Sequence, residues 1–189
     1  MSRAIRPTTK YYAGFDLSLT GSGIVILDST GKVHERHVIS VKCFGAERLD
    51  KIQNIIRSII SKYKIELVCI EDYAFAAVGK TFHIGELGGV IRLLLFRLGV
   101  KFINIKPTSA KKFATGSGGG ASGSKAQVTM YVYKNWNFQA IDDNEADAFV
   151  LCRIALALHN FGVLEKHQRE VIEQINNPEP KKKKKKKEE

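Results

Sequence analysis

The sequence predicts an α/β domain in which a mixed five-stranded sheet is flanked by helices. Residues 13–28 alternate between apolar and polar side chains, which is typical of strands with one buried face. Apolar side chains recur at helical spacing over residues 46–63, and residues 67–70 form a short apolar run typical of a strand buried on both faces. Strands that alternate with helices in this way predict a sheet with helical layers on its faces.

The expected elements follow one another in the order βββαβαβα, with more helix afterwards. Turn-like residues 20–23 divide residues 13–28 into a hairpin, and a third strand is expected over residues 32–41. The helix over 46–63 precedes the strand 67–70, and a helix over 81–98 precedes a strand over 100–105. Further helices are expected near Thr108, over 125–134 and over 143–160.

The chain length of 189 residues is sufficient for one compact domain. We expect an N-terminal extension over residues 1–12, one domain over residues 13–176 and a disordered lysine-rich tail over residues 177–189. Residues 116–124 consist almost entirely of glycine and serine, the composition of a flexible linker. The sequence leaves open whether this loop is natural or engineered.

The charge balance favours a polyanionic partner. The net charge is +11, of which the lysine-rich end, with its seven lysines and two glutamates, contributes +5, so the rest of the chain is basic by itself. This leaves DNA, RNA and acidic membrane surfaces open. No apolar segment is long enough for a membrane span and no signal peptide is recognised, so we expect an intracellular protein. Three widely spaced cysteines are expected to be reduced core thiols: Cys43, Cys69 and Cys152.

Three acidic residues stand where an ionised carboxylate is costly or functional. Asp16 lies within a predicted strand, where burial of an unpaired charge costs several kcal/mol, so another group must compensate it. Glu71 follows the apolar run 68–70, at the strand end where open α/β sheets present functional groups, although a solvent-facing strand terminus explains it equally well. Asp147 adjoins the apolar run 148–151.

The acidic segment 142–147 has both a structural and a functional interpretation. Asp142 with Glu145 three residues later resembles a capping box, and acidic residues are favoured in a first helical turn. Capping leaves Asp147 unexplained, however, and Asp143 and Asn144 lie four and three residues before it, on the same helix face. Converging carboxylates of this kind bind hard divalent cations such as Mg²⁺, two of which together cleave phosphodiesters.

At these residues the sequence resembles the RuvC-like Holliday junction resolvases, which have the RNase H-like fold. Residues 14–23 resemble the first hairpin of that family with Asp16 as its first acid, Ile70-Glu71 resembles the second acid, and residues 145–148 resemble the motif that carries the final acid, Asp147. Residues 106–128 are similar to the lysine-bearing loop and helix of the family. The resemblance runs from about residue 13 to residue 160, and the ordered set of motifs is more specific than any one of them.

The resemblance implies a magnesium-dependent endonuclease that nicks four-way and other branched DNA, with two Mg²⁺ ions per active site that Mn²⁺ can replace. The implied metal ligands are Asp16, Glu71, Asp143, Asn144 and Asp147. The chain departs from the family at Asn144, where an acid or a histidine is usual. Either Asp143 supplies the carboxylate from the next helical position, or the metal site is weakened and the protein binds junctions without cutting them.

The resemblance also implies DNA contacts. Tyr73 and Phe75 follow the second acid, and either of them wedges against junction bases or closes the core beneath the loop. Lysines are expected at phosphates, and Lys125 is in addition expected to assist catalysis. The lysines in question are Lys80, Lys106, Lys111, Lys112 and Lys125.

A homodimer is implied because such resolvases nick opposed strands symmetrically, and Gly85, Gly88 and Gly89 would let another helix approach the predicted helix 81–98 closely.

Two alternatives remain open beside the non-cleaving junction binder. A broader nuclease of branched DNA or RNA–DNA hybrids is one. An actin-like ATPase domain is the other, but it needs a second domain, so no nucleotide cofactor is expected. Compact size and the lysine tail are compatible with a viral genome-processing protein.

Overall fold

The computed structural model describes residues 9–72, 81–119, 124–159 and 162–178. Within these ranges the chain forms five strands and six helices. The strands are β1 (Tyr11–Asp16), β2 (Ser22–Asp28), β3 (Val33–Ile39), β4 (Ile65–Glu71) and β5 (Phe102–Ile105). The helices are α1 (Gly45–Ile60), α2 (Thr81–Arg97), α3 (Pro107–Thr115), α4 (Lys125–Trp136), α5 (Asp143–His159) and α6 (Lys166–Asn176).

The strands form one mixed sheet in the order β3-β2-β1-β4-β5, which confirms the predicted fold class. β1 pairs antiparallel with β2, and β2 with β3, whereas β1 pairs parallel with β4 and β4 with β5. β1, β3, β4 and β5 therefore all run in the same direction. Their carboxyl ends lie at one edge of the sheet, which we call the strand-end edge.

Two hydrophobic clusters cover the two faces of the sheet. On one face, strand residues such as Phe15 pack with Ile56 of α1 and Leu94 of α2. On the other face, Cys69 packs with α5, represented by Phe149, and with α3, α4 and α6. β1 and β2 are buried on both faces, so their side chains lose contact with water whichever way they point.

Helix α5 lies unusually close to the β1–β2 hairpin, because glycines form the contact surface. A Cβ atom added at Gly14 would overlap the carbonyl oxygen of Ala148, and one added at Gly23 would overlap that of Asn144. Without side chains at these two positions, the first two turns of α5 approach the sheet at the level of the strand-end edge. The glycines therefore set where the acidic segment of α5 lies.

The structure differs from the sequence predictions at several boundaries and in one helix. β1 begins at Tyr11, and Tyr12 is buried, so residues expected in the N-terminal extension belong to the domain. Helix α6 was not predicted individually; its signal was the capping box formed by Glu165 and Gln168. The predicted free thiols are confirmed, since all three cysteines are unpaired and buried. Among the helices described, none has the length and hydropathy of a membrane span.

Candidate active site

Asp16 and Glu71 end two adjacent parallel strands. Phe15 of β1 pairs with Ile70 of β4, so the next residue on each strand, Asp16 and Glu71, lies at the same level of the strand-end edge. Phe15 and Ile70 belong to the cluster beneath α1 and α2. Because side chains alternate along a strand, the two carboxyl groups are directed to the opposite face, the face that α5 covers.

Asp147 joins this pair from α5. It lies one helical turn after Asp143, in the part of the helix that the hairpin glycines hold against the sheet. The negative charges of Glu71 and Asp147 each raise the pKa of Asp16, so the three carboxyl groups form one electrostatic cluster. We call Asp16, Glu71 and Asp147 the acid cluster.

Burial and mutual repulsion make the charged forms of the acid cluster costly. Burial, followed by the charges of Glu71 and Asp147, raises the pKa of Asp16 to about 8, and only 9% of this residue is exposed. Burial likewise raises the pKa of Glu71. A side-chain hydrogen bond between the two carboxyl groups adds to the raised pKa of Asp16 and acts to lower the pKa of Glu71. Burial and then the charge of Glu71 raise the pKa of Asp147 to about 6.

Two lysines lie within electrostatic reach of the acid cluster. Lys125, the first residue of α4, forms an ion pair with Asp143 while its charge also acts on Asp16 and Asp147. The hydrogen bond to Asp143 raises the pKa of Lys125, and the same bond lowers that of Asp143. Lys111 of α3 lowers the pKa of both Glu71 and Asp147 by its charge. Cationic side chains on two helices therefore border the cluster.

The structure places the other two predicted ligands of α5 at the periphery. The side chain of Asp143 is 37% exposed and forms an ion pair with Lys125. The amide of Asn144 donates to Asp142 at 3.1 Å and lies against Gly21 of the hairpin turn. Asp142 also caps α5 by accepting from the backbone N–H of Glu145 at 2.8 Å, as expected for half of a capping box.

The role of Glu145 is a feature that the sequence reasoning missed. Instead of returning to the backbone of Asp142, its carboxylate accepts from the backbone N–H of Ile141 at 2.7 Å. It also receives both arms of the Arg36 guanidinium, at 2.8 and 2.6 Å, although Glu145 is only 1% exposed. This paired geometry ties β3 to the start of α5. No local sequence signal links two residues so far apart in the chain.

The remaining predicted DNA contacts divide into three groups. Lys106 is exposed at the N-terminus of α3 and lines a cleft of about 400 Å³ with Asn104 and Ser109. Lys112 is engaged in an ion pair with Glu170 of α6 at 2.8 Å. The third group lies outside the described residues and comprises Tyr73, Phe75 and Lys80.

The donor set of the acid cluster fits a hard divalent cation. Carboxylate oxygens are the preferred ligands of Mg²⁺, and a bound cation would offset the charge whose burial raises the three pKa values. In the described part of the chain, no three side chains already stand in metal-ligand geometry. The acid cluster is therefore a candidate metal site by the chemistry of its donors.

Comparison with known proteins gives a consistent family. The sequence profile of the family described as "Crossover junction endodeoxyribonuclease RuvC" matches residues 13–158. A protein of that name from Endomicrobium trichonymphae is 30% identical over 71% of this chain and 73% of its own length. Another protein of that name, from Chloroherpeton thalassium, is 26% identical over 71% of this chain and 75% of its own length.

Solved structures agree with this in fold. The Thermus thermophilus RuvC structure superposes with a TM-score of 0.67 and 19% identity, covering 79% of this chain and 95% of that protein. The structure of the same protein in complex with a Holliday junction substrate superposes with a TM-score of 0.66 and 18% identity. It covers 80% of this chain and 93% of that protein. The sequence profile and the Endomicrobium relative are sufficient to assign the family: the chain belongs to the crossover junction endodeoxyribonuclease RuvC family.

Proposed function

We propose that the protein hydrolyses phosphodiester bonds in four-way DNA junctions. The observation that carries this proposal is the meeting of Asp16, Glu71 and Asp147 at the strand-end edge of a sheet of the RuvC type. Buried carboxyl groups that raise one another's pKa destabilise the protein unless a cation or a substrate group compensates them. The RuvC named in complex with a Holliday junction substrate supports the choice of substrate.

Each member of the acid cluster has a role in this proposal. Asp16, Glu71 and Asp147 would hold two Mg²⁺ ions, with Asp143 as a further ligand if Lys125 released it. When bound, the ions would supply an activated water and charge stabilisation for the leaving oxygen. Lys111 and Lys125 offset negative charge where a scissile phosphate would meet the carboxylates. Lys106 and the neighbouring cleft at the start of α3 bind the phosphate backbone at a distance from the cut.

Cleavage of a labelled four-way junction beside a matched linear duplex tests this function. The wild type is expected to nick the junction in Mg²⁺ or Mn²⁺, to spare the duplex and to be inactive in EDTA. Asp16→Asn should abolish nicking while junction binding persists. Asp50→Asn serves as the control, because this exposed aspartate of α1 bonds only Asn54 among the described residues, and it should leave nicking unchanged. Nicking that survives Asp16→Asn contradicts the proposed site.

A second candidate function is junction binding without cleavage. It is favoured by Asn144, whose amide is turned towards Asp142 and the hairpin and brings no negative charge. Asn144→Asp discriminates between the two functions in the same assay. If the wild type cuts, this candidate is excluded; if only Asn144→Asp cuts, the natural chain is a binding protein.

We further propose that the active protein is a homodimer, since paired nicks across a junction need two active sites related by a two-fold axis. Helix α2 supports this proposal. A side chain at Gly89 would point into open space, and one and two turns further along the helix Leu93 and Phe96 are 46% and 76% exposed. Light scattering should give twice the mass of the chain, and Gly89→Arg should give the mass of a monomer.

A further inference from the structure

Phe44 is an exposed aromatic residue with no place in either core cluster. It precedes α1 as its N-cap residue, and 82% of it is accessible to solvent. Burying a phenylalanine is favourable by roughly 2 kcal/mol, so a ring left in water has lost that contribution to folding. The ring is also held in place, because the Arg48 guanidinium lies 4.9 Å from its centroid and donates to the carbonyl of Cys43. One face of Phe44 is thus supported and the other is open.

The position of Phe44 connects it to the acid cluster. β3 runs parallel to β1, and its last residue, Ile39, pairs with Ser22 beside the level of Asp16. The loop from β3 to α1 therefore leaves the sheet at the strand-end edge. β3 and β1 are two strand spacings apart, about 10 Å, so the loop that carries Phe44 starts within the length of a few nucleotides from Asp16.

The surroundings of Phe44 carry uncompensated positive charge. Lys42 is exposed and takes part in none of the ion pairs of the described chain, and the Arg48 guanidinium faces no carboxylate there. The nearest acid on α1, Glu47, is neutralised by Lys51 at 2.6 Å. An aromatic ring with one open face, the Arg48 guanidinium against it and Lys42 two residues before it in the chain matches the requirements of a nucleotide, because the ring stacks on the base and the cations meet the adjacent phosphates.

We propose that Phe44 is a stacking platform for an unpaired base of the branched DNA, with Lys42 and Arg48 binding the phosphates beside that base. This inference rests on the proposed function, because a branch point interrupts base stacking and so offers base faces that an intact duplex does not. Intact duplex keeps its bases stacked on one another and offers the ring no base to accept. Phe44 therefore contributes to the preference for branched over linear DNA.

Junction and duplex affinities, measured with Ca²⁺ in place of Mg²⁺ to prevent cutting, test the inference. Phe44→Ala should weaken binding of a four-way junction about tenfold and leave duplex binding unchanged, whereas Phe44→Trp should retain junction affinity. Lys42→Ala should weaken both ligands to the same extent and lower the salt dependence of binding. Ile55→Ala is the matched control: this isoleucine is 37% exposed and lies about three turns beyond Phe44 on α1, towards the opposite end of the sheet, and its loss should change neither affinity.

A junction carrying 2-aminopurine next to the branch point reports stacking directly. The wild type should change the fluorescence of one such base, and Phe44→Ala should not. Equal junction affinity and equal fluorescence in wild type and Phe44→Ala overturn the inference, as does an equal loss on junction and duplex. The behaviour of the wild type distinguishes this failure from failure of the proposed function. If the wild type shows no preference for branched DNA, both proposals are overturned. If it prefers branched DNA and Phe44→Ala behaves in the same way, only the role of Phe44 is refuted.

Discussion

The acid cluster should destabilise the metal-free protein, and Asp147→Asn should relieve part of this cost. Burial and the charge of Glu71 raise the pKa of Asp147 from 3.8 to about 6, and its carboxylate accepts none of the hydrogen bonds found in the described structure. Asparagine has nearly the same shape and no charge. The variant therefore loses the repulsion without losing a bonded partner.

The size of the effect follows from linkage. When folding raises the pKa of an acid, the folded state is destabilised at pH values above the pKa of the unfolded state. The destabilisation reaches its full size once the pH exceeds the pKa of the folded state. A shift of about two units corresponds to about 3 kcal/mol at pH 8, and less than about 1 kcal/mol remains at pH 4. In EDTA, Asp147→Asn should be more stable than the wild type by about 3 kcal/mol at pH 8 and nearly equal to it at pH 4.

Urea unfolding in EDTA at the two pH values measures both differences. Mg²⁺ at a hundredfold excess over its dissociation constant should then stabilise the wild type by about 2.7 kcal/mol and the variant by less, because the variant has lost a ligand. Asp50→Asn is the control, with changes within about 0.5 kcal/mol at either pH. The reasoning is refuted if Asp147→Asn is no more stable than the wild type at pH 8 without metal.

Three further predictions concern the frame around the cluster. Arg36→Ala should lower the free energy of unfolding by about 3–5 kcal/mol, since it leaves Glu145 buried without its partner, and Arg36→Lys should cost less; denaturant titration distinguishes them. Gly14→Ala should cost at least about 1–3 kcal/mol in the same assay, because its methyl group overlaps the α5 backbone. Burial alone would raise the pKa of Asp28, but its hydrogen bonds lower the pKa to about 2. Asp28→Asn should therefore lower the free energy of unfolding by about 2 kcal/mol near neutral pH. The difference should shrink as the pH falls from about 4 to about 2, because the wild-type carboxylate is then protonated.

The fold and the position of the acids were predictable because each rests on a local signal. The apolar alternation before Asp16 and the apolar run before Glu71 located two strand ends. The order β3-β2-β1-β4-β5 then brings these strand ends together. Asp147 was singled out because the capping interpretation covered Asp142 and Glu145 and left it unexplained.

The bidentate contact of Arg36 with Glu145 was not predictable, because it depends on two residues more than a hundred positions apart. Arg36 lies on a strand with partly exposed, mostly polar side chains, and Glu145 has the position expected of a first-turn acid. Both patterns are typical of solvated residues. Burial of Glu145 results only from the packing of α5 on the hairpin, which no short stretch of sequence encodes.

These long-range contacts explain how a strand-end pair becomes a three-membered site. Asp16 and Glu71 are placed by backbone pairing, which tolerates little displacement, but Asp147 depends on the orientation of an entire helix. The hairpin glycines fix how closely α5 approaches the sheet, and the contact of Arg36 with Glu145 fixes its first turn at the edge strand. Residues outside the acid cluster thus determine the carboxylate geometry. A loosened Arg36 contact should therefore impair metal binding as well as stability.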